Sequence, residues 1–258
     1  MTRDQNDDLL EWVDYHRSIG VTNIILFDHN GTVPVVNDVL EHVKSGFIIS
    51  YTYFSDQPKY GRMNNSQLYV YHRCIDTYRN YFDHIGFIDT DEFIVIKNHS
   101  LNIIDILTEY KDYGGLTLNW MVIGSNGHIK RPSGGTLRNY NRCGKNKHIK
   151  TIVNTKYVTS PSGDPHSFNY MKKRFAVDTN KNRVVGSFNA VHDSLYQVAY
   201  INHYYMRSFE DFQKKRLRGP GDGMPPLPLG AHADWDSKLD RNCDYLRPRN
   251  FSGSRRGY

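Results

Sequence analysis

Three times between residues 7 and 88 a segment with helically spaced apolar residues is followed by a short apolar run, and this alternation restricts the chain to very few folds. Leu9, Leu10, Trp12, Val13, His16 and Ile19 recur at helical intervals, with Asp7 or Asp8 as N-cap and Gly20 as the stop. Residues 23–27 (NIILF) then read as a buried strand. A helix over 35–44 leads to a strand over 47–53, and a helix over 67–81 leads to a strand over 84–88. The order α-β-α-β-α-β predicts a parallel, doubly wound sheet. With 258 residues and no Pro/Ser/Gly linker before residue 218, one large α/β domain over 1–219 is expected, followed by a Pro/Gly-rich polar tail over 220–258.

The third strand breaks off in an unusual way. The run HIGFIDTDEFIVI at residues 84–96 is apolar except for Asp89, Asp91 and Glu92. Ligands of open α/β sheets bind at the carboxyl ends of the strands, so charge at such a tip points to a site. Residues i and i+2 of an extended strand share a face, which would aim both carboxylates the same way. A hard divalent cation, Mg²⁺ or Mn²⁺, relieves their repulsion and completes its shell with water and substrate phosphates. The plainer reading is a turn whose aspartates cap the next element or pair with surface lysines.

Beyond the aspartates the pattern becomes mixed. A strand over 93–96, a helix over 101–110 capped by Ser100, and strands over 116–123, 148–153, 183–188 and 198–203 are expected, then a helix over 208–218 capped by Ser208. The net charge of +6 suits an anionic ligand, either a nucleotide diphosphate or nucleic acid. Cys74, Cys143 and Cys243 show no zinc spacing and allow at most one disulfide bridge. No run approaches the length of a membrane span, and no signal peptide opens the chain. Asn-x-Ser/Thr triplets at Asn30, Asn64, Asn98 and Asn250 permit a secretory history without establishing one.

Taken in order, EWVDYHRSIGVTNIILFDHN at 11–30, GFIDTDEFIV at 86–95, NWMVIGSNGH at 119–128, KHIKTIV at 147–153, DPHSF at 164–168 and INHYYMRSFEDFQKKRLRG at 201–219 resemble glycosyltransferase family 92 and its family 2-like relatives. The resemblance implies a GT-A, Rossmann-like α/β fold with a central mixed sheet flanked by helices. It implies an enzyme that transfers a sugar, often galactose, from a UDP-sugar donor to a glycan acceptor with inversion. Asp89 and Asp91 would then bind Mn²⁺ or Mg²⁺ together with His203, and Lys150 would contact the diphosphate or the acceptor. Trp120, Gly124, Ser125 and His166 fall where the acceptor binds, His166 being a second candidate for the role of His203. Each has a structural alternative: His203 and His166 as packed or loop histidines, Lys150 as a solvated strand lysine, Trp120 as core. Inversion needs a carboxylate base. Asp164, Asp193, Glu210 and Glu92 are available, and Asp164 lies in the loop nearest the expected place.

One departure stands out, since the family begins with a central strand ahead of the first helix and this chain starts at MTRDQNDD. The expected sheet lacks its first strand, leaving a row of unpaired backbone groups, lower stability and weak donor binding. The alternative is a longer N-terminus, with a membrane anchor as the only membrane connection. The location would then be the Golgi lumen in a eukaryote, and otherwise the cytoplasm. Two rivals remain at this stage. A haloacid-dehalogenase-type phosphatase also carries Asp-x-Asp at a strand end, but on its first strand and without Glu-Phe after it. A nucleic-acid-binding protein would leave the aspartates idle and shows no aromatic-interleaved basic motif, so no nucleic-acid partner is expected.

Overall fold

The computed structural model describes residues 1–52, 66–219 and 225–239. Helix α1 (Asn6–Ser18) buries Leu9, Trp12, Val13, Tyr15 and His16 along one face, as the spacing predicted. Its N-cap is Gln5, without a side-chain cap bond, because Asp8 turns inward to a different task described below. Strand β1 (Ile24–Asp28), a 3₁₀ turn, α2 (Leu40–Lys44) and β2 (Ile48–Thr52) follow. β1 and β2 pair in parallel from Ile24↔Ile48 to Asp28↔Thr52. Tyr53 and Asn64 lie outside the described residues, as do Cys243 and Asn250.

Next come α3 (Ser66–Tyr78), β3 (His84–Gly86), β4 (Glu92–Ile96), α4 (Ile103–Thr108) and β5 (Gly115–Ile123). The cap of α4 is Asn102, not Ser100: its side chain accepts from the Ile104 and Asp105 amides while Asp105 returns a bond to the Asn102 amide. Beyond these lie α5 (Thr136–Asn139), β6 (Cys143–Asn154), β7 (Val158–Pro161), β8 (Phe168–Tyr170), β9 (Ala176–Val177), β10 (Ala199–His203), α6 (Phe209–Arg218) and α7 (Ala231–Asp236). Residues 183–188 make isolated bridges at Arg183 and Phe188 in place of the expected strand.

The central sheet runs β3-β6-β5-β10-β4, with β9 also on β5. It is mixed: β5 is parallel to β10 and antiparallel to β6, and β10 is antiparallel to β4. A parallel sheet through the first three strands is therefore not what forms. β3 pairs antiparallel with β6, whose Ile152 and Val153 pair with β5 on one edge and with β3 on the other. β3 and β4 occupy opposite edges of this sheet yet are joined by residues 87–91 alone, so the sheet curls to bring its edges together.

Between β1 and β3 lies a cleft of about 890 Å³, lined by residues 24–27 from one strand and 84–88 from the other. At its end Thr2 makes a single parallel bridge to Asp28, its amide donating to the Phe27 carbonyl and its carbonyl accepting from the His29 amide, both at 2.8 Å. Much of its lining is apolar, with Asp83, Lys111, Asp112 and Lys156 among the polar groups, and Asp89, Asp91, Lys150 and Lys215 lie outside it.

The region after residue 219 is not uniformly irregular. Gly219 ends α6 at a φ of +78°, but α7 folds back onto the sheet. Its Asp236 accepts the Ser125 amide at 2.6 Å and pairs with Arg142 at 2.9 Å. Cys143 is disulfide-bonded and Cys74 is a free, buried thiol, in keeping with the single bridge the sequence allows. Among the described residues no helix is long and apolar enough to cross a membrane.

Candidate active site

The two aspartates do not owe their proximity to a shared strand face. β3 ends at Gly86, and Asp89 to Glu92 form a tight turn in which the Glu92 amide donates to the Asp89 carbonyl at 3.0 Å. The Glu92 carboxyl closes the turn from the other side, accepting the Asp89 amide at 2.8 Å. Trp12 and Tyr15 of α1 hold the following strand by donating to the carbonyls of Glu92 and Ile94, at 2.8 and 2.6 Å.

Lys150 lies on β6 two residues from the Gly86↔Ile152 pair, which places its ammonium directly behind the turn. It donates to Asp89 at 3.0 Å, lies 3.5 Å from Glu92, and is 1% exposed. Lys150 is therefore not a solvated strand lysine: its ammonium is enclosed between the carboxylates of Asp89 and Glu92. One ammonium cannot neutralise two carboxylates. Burial works to raise the pKa of Asp89, but the Lys150 charge, the N-terminal ammonium and the Lys150 hydrogen bond together leave that group lowered. Burial pushes Glu92 up to about 8, against the pull of Lys150 and with the push of both aspartates. Near neutral pH Asp89 therefore carries the charge and Glu92 the proton, despite the short Lys150–Glu92 approach. Glu92 is fully buried, which removes it from the candidate bases.

Asp91 meets residues from the far end of the chain. The β10–β4 register sets His203 opposite Glu92, and the Tyr204 amide donates to the Asp91 carbonyl at 2.8 Å. One Asp91 oxygen is 3.6 Å from His203 Nε2, and the other accepts from Lys215 Nζ at 2.7 Å. Burial opposes ionisation of Asp91, yet Lys215, His203 and Arg207 together hold it well below the usual carboxylate range. Burial lowers His203, with Asp91 pulling the other way. Its Nδ1 is buried without a hydrogen-bond partner among the described residues.

A second ionic layer supports Asp91 from below. Arg207, buried and in the left-handed region at a φ of +47°, pairs with Asp8 of α1. Asp8 also pairs with Arg131, which reaches Asp211 of α6 at 3.1 Å. This network bolts α1 to α6, and it is the reason Asp8 is unavailable as a helix cap. A backbone held in the left-handed region by a buried ion pair is strain of the kind found at functional sites.

Trp120 forms the opposite wall. The β5–β6 register shifts between Asn119 and Met121, a bulge that re-aims the indole. Trp120 is half-buried, stacks on His148 at 4.9 Å between ring centres, and meets His203 at 4.1 Å and His166 at 5.4 Å. Its Nε1 is enclosed without a hydrogen-bond partner among the described residues. His166 Nδ1 lies 2.7 Å from the Ile149 carbonyl, which can only accept, so Nδ1 carries the proton; burial and the Lys150 charge lower this group to about 4.

Three expected contacts change character. Gly124 and Ser125 are not open acceptor surface: Asp236 and Leu239 lie where a Cβ on Gly124 would be, and Ser125 is buried with its hydroxyl accepting the Gly127 amide. The reason is the fold-back of α7, which the Pro/Gly-rich composition around residues 219–230 hid. Asp164 closes its own turn, accepting from the His166 amide, the Ser167 amide and the Ser167 hydroxyl. Burial would raise it, but these bonds leave it lowered, so it is a weaker proton acceptor than an ordinary aspartate. Of the other two carboxylates, Asp193 is exposed and holds Lys145, and Glu210 accepts the Arg131 amide.

A buried aspartate flanked by imidazole, lysine and arginine beside an upturned indole is a place for an anion and a ring. The profile of glycosyltransferase family 92 matches residues 2–219. The chain belongs to glycosyltransferase family 92. No individual curated protein matches it. As a glycosyltransferase it is an enzyme with a donor and an acceptor substrate, and both rival classes fall away. The match ends at Gly219, directly after α6, so it includes Lys215 along with Asp89, Asp91, Trp120 and His203.

The donor set of this glycosyltransferase suits a hard divalent cation, which needs only one or two carboxylates when phosphates complete its shell. Among the described residues no three His, Cys, Asp or Glu groups already surround one point. Both aspartates instead hold lysine ammonium groups. Lys215, Arg207, Arg131, Asp8 and His148 are the site residues sequence reasoning missed. The basic run at 214–218 was the one local signal, because the other partners meet only across up to 199 residues of chain.

Proposed function

We propose that this glycosyltransferase transfers a sugar, in the first instance galactose, from a UDP-sugar to a glycan acceptor with inversion at the anomeric carbon, and that it uses Mn²⁺ or Mg²⁺. The observation that carries the reading is the meeting of Asp91, His203 and Lys215 at the end of β10, with contacts of 3.6 and 2.7 Å to the aspartate. Asp89 and Asp91 would hold the cation, with the His203 imidazole beside them. When bound, such an ion supplies Lewis-acid stabilisation of the charge that develops on the leaving diphosphate.

The chain's own groups account for the rest. Lys150 helps to keep Asp89 ionised, and Lys215, His203 and Arg207 keep Asp91 ionised, so both carboxylates carry the negative charge that a cation needs. The half-buried indole of Trp120 offers an apolar face to a sugar ring, with His148 stacked on it to hold its angle. His166, neutral and protonated on Nδ1, leaves Nε2 as an acceptor beside that face.

The test is calorimetric titration of UDP with and without Mn²⁺ against wild type and Asp91→Asn, followed by a nucleotide-sugar screen with proton NMR of the product anomer. Strong loss of Mn²⁺-dependent UDP affinity in the variant is expected. Equal affinity in both proteins removes the metal assignment, and a retained anomeric configuration removes inversion.

A further inference from the structure

The two lysines on the aspartates differ in a way that matters for ligand entry. Lys150 is fixed: it sits on a central strand, 1% exposed, and serves Asp89 and Glu92 at once. Lys215 is in the last turn of α6, its side chain 27% exposed, with a single carboxylate contact among the described residues and the Tyr205 ring centre 3.6 Å from Nζ. Lys215 therefore has somewhere to go, whereas Lys150 does not.

Beside it is a cavity of about 50 Å³ lined by Asp91, Arg207, Lys214, Lys215 and Arg218 among others. Its lining is charge-balanced, with Asp4, Asp7, Asp8 and Asp211 beside Arg131, Arg207, Lys214 and Arg218, and Asp8 and Asp211 are already paired with Arg207 and Arg131. A divalent ion cannot share an Asp91 oxygen with an ammonium group 2.7 Å away, since the two positive charges would sit within a few ångströms of each other. Displaced from Asp91 by a divalent ion, Lys215 loses its one carboxylate contact among the described residues and leaves two positive groups side by side, which a diphosphate lying between them would neutralise.

We propose that Lys215 is a resident counter-cation that bars a divalent ion from Asp91 until a diphosphate enters, and that it then transfers its contact to the diphosphate. Cation and nucleotide binding are thereby coupled, each strengthening the other by the same factor, on the order of ten- to a hundredfold. The inference rests on the metal-dependent reading above. It assigns Lys215 a positioning role that sets the strength of that coupling.

The experiment is Mn²⁺ titration of the whole protein by the EPR signal of the free ion, with and without UDP and corrected by a nucleotide-only blank. Wild type, Lys215→Met, Lys215→Gln and Asp91→Asn are compared, with circular dichroism to confirm that each is folded. Without UDP, both Lys215 variants are expected to bind Mn²⁺ at least about tenfold more tightly than wild type, and their gain in Mn²⁺ affinity on adding UDP should shrink correspondingly. If Mn²⁺ binds wild type, is lost in Asp91→Asn and is unchanged in both Lys215 variants, the gate is wrong and the metal site stands. If no protein binds Mn²⁺ with or without UDP, gate and metal reading fail together. A misfolded methionine variant leaves the glutamine variant to decide.

Discussion

Replacing Lys150 by methionine tests the electrostatic core of the site independently of any substrate. Methionine keeps most of the length of the chain and removes the charge, so Asp89 is left with the Gln67 amide, which donates to it at 3.3 Å, and the nearby N-terminal ammonium. Breaking a buried ion pair from one side costs about 3–5 kcal/mol. Asp89 is about one-third exposed, at 36%, so water takes up part of the lost interaction and the low end, about 3 kcal/mol, is expected. For a chain of this size that lowers the melting temperature by roughly 6–12 °C. The sign with pH follows from the pair. The lowered pKa of Asp89 contributes stability that is present above its unfolded value of 3.8 and lost as pH falls through the folded value. The raised pKa of Lys150 contributes stability that is present below 10.5 and lost only as pH rises through its folded value. The variant should accordingly melt well below wild type at pH 7, with the gap closing as pH falls below 3.8 and through the folded value of Asp89. Thermal melts of wild type, Lys150→Met, Asp89→Asn and the double variant give the coupling directly. Additive single-variant losses, or a Lys150→Met melting point within about 2 °C of wild type at pH 7, would refute the buried pair.

Glu92→Gln probes the proton that charge counting places on Glu92: because its folded value near 8 lies above the unfolded 4.5, wild type loses stability as pH rises between the two. The glutamine variant should lack that slope, and an identical pH–stability profile would show that Glu92 is ionised in the fold. Trp120→Ala should reduce kcat/KM for the acceptor by about 10- to 100-fold, matching the roughly 1–3 kcal/mol of a lost aromatic contact, while leaving UDP affinity within twofold. A matched loss in UDP affinity would place the indole on the donor side. An apolar five-residue extension built ahead of Met1, in register with the Thr2↔Asp28 bridge, should raise the melting temperature by pairing along residues 24–27 in the cleft. An unchanged melting point would mean that those backbone groups are already satisfied.

Much of the local structure is legible in the sequence because it depends on local spacing. The apolar face of α1, the parallel pair β1–β2, the buried run of β4 and the Ser208 cap of α6 each follow from residues within a few positions of one another. Asp89 and Asp91 stand out in the same way, as charge breaking an apolar run, whereas Trp120 and His203 are singled out by the family resemblance. Sequence spacing misjudged why the aspartates converge, because it extended a strand where an Asp89–Glu92 turn forms. It also left Gly124 and Ser125 on the surface, because α7 lies beyond a stretch of Pro and Gly that propensity reads as irregular.

What only the tertiary structure decided is which charges meet. Lys150 reaches Asp89 because β6 lies against β3, Lys215 reaches Asp91 because α6 docks beside β10, and Arg207 reaches Asp8 across 199 residues. Composition had already put six more basic than acidic groups into the chain, but a net charge has no address. Ionisation in a buried site depends on separations of a few ångströms in a poorly screening medium, and those separations are set by strand order and helix docking. The sequence by itself therefore determined the elements and the residues that stand out along them. The curled sheet determined which of the two aspartates is held by a fixed lysine and which by one free to move.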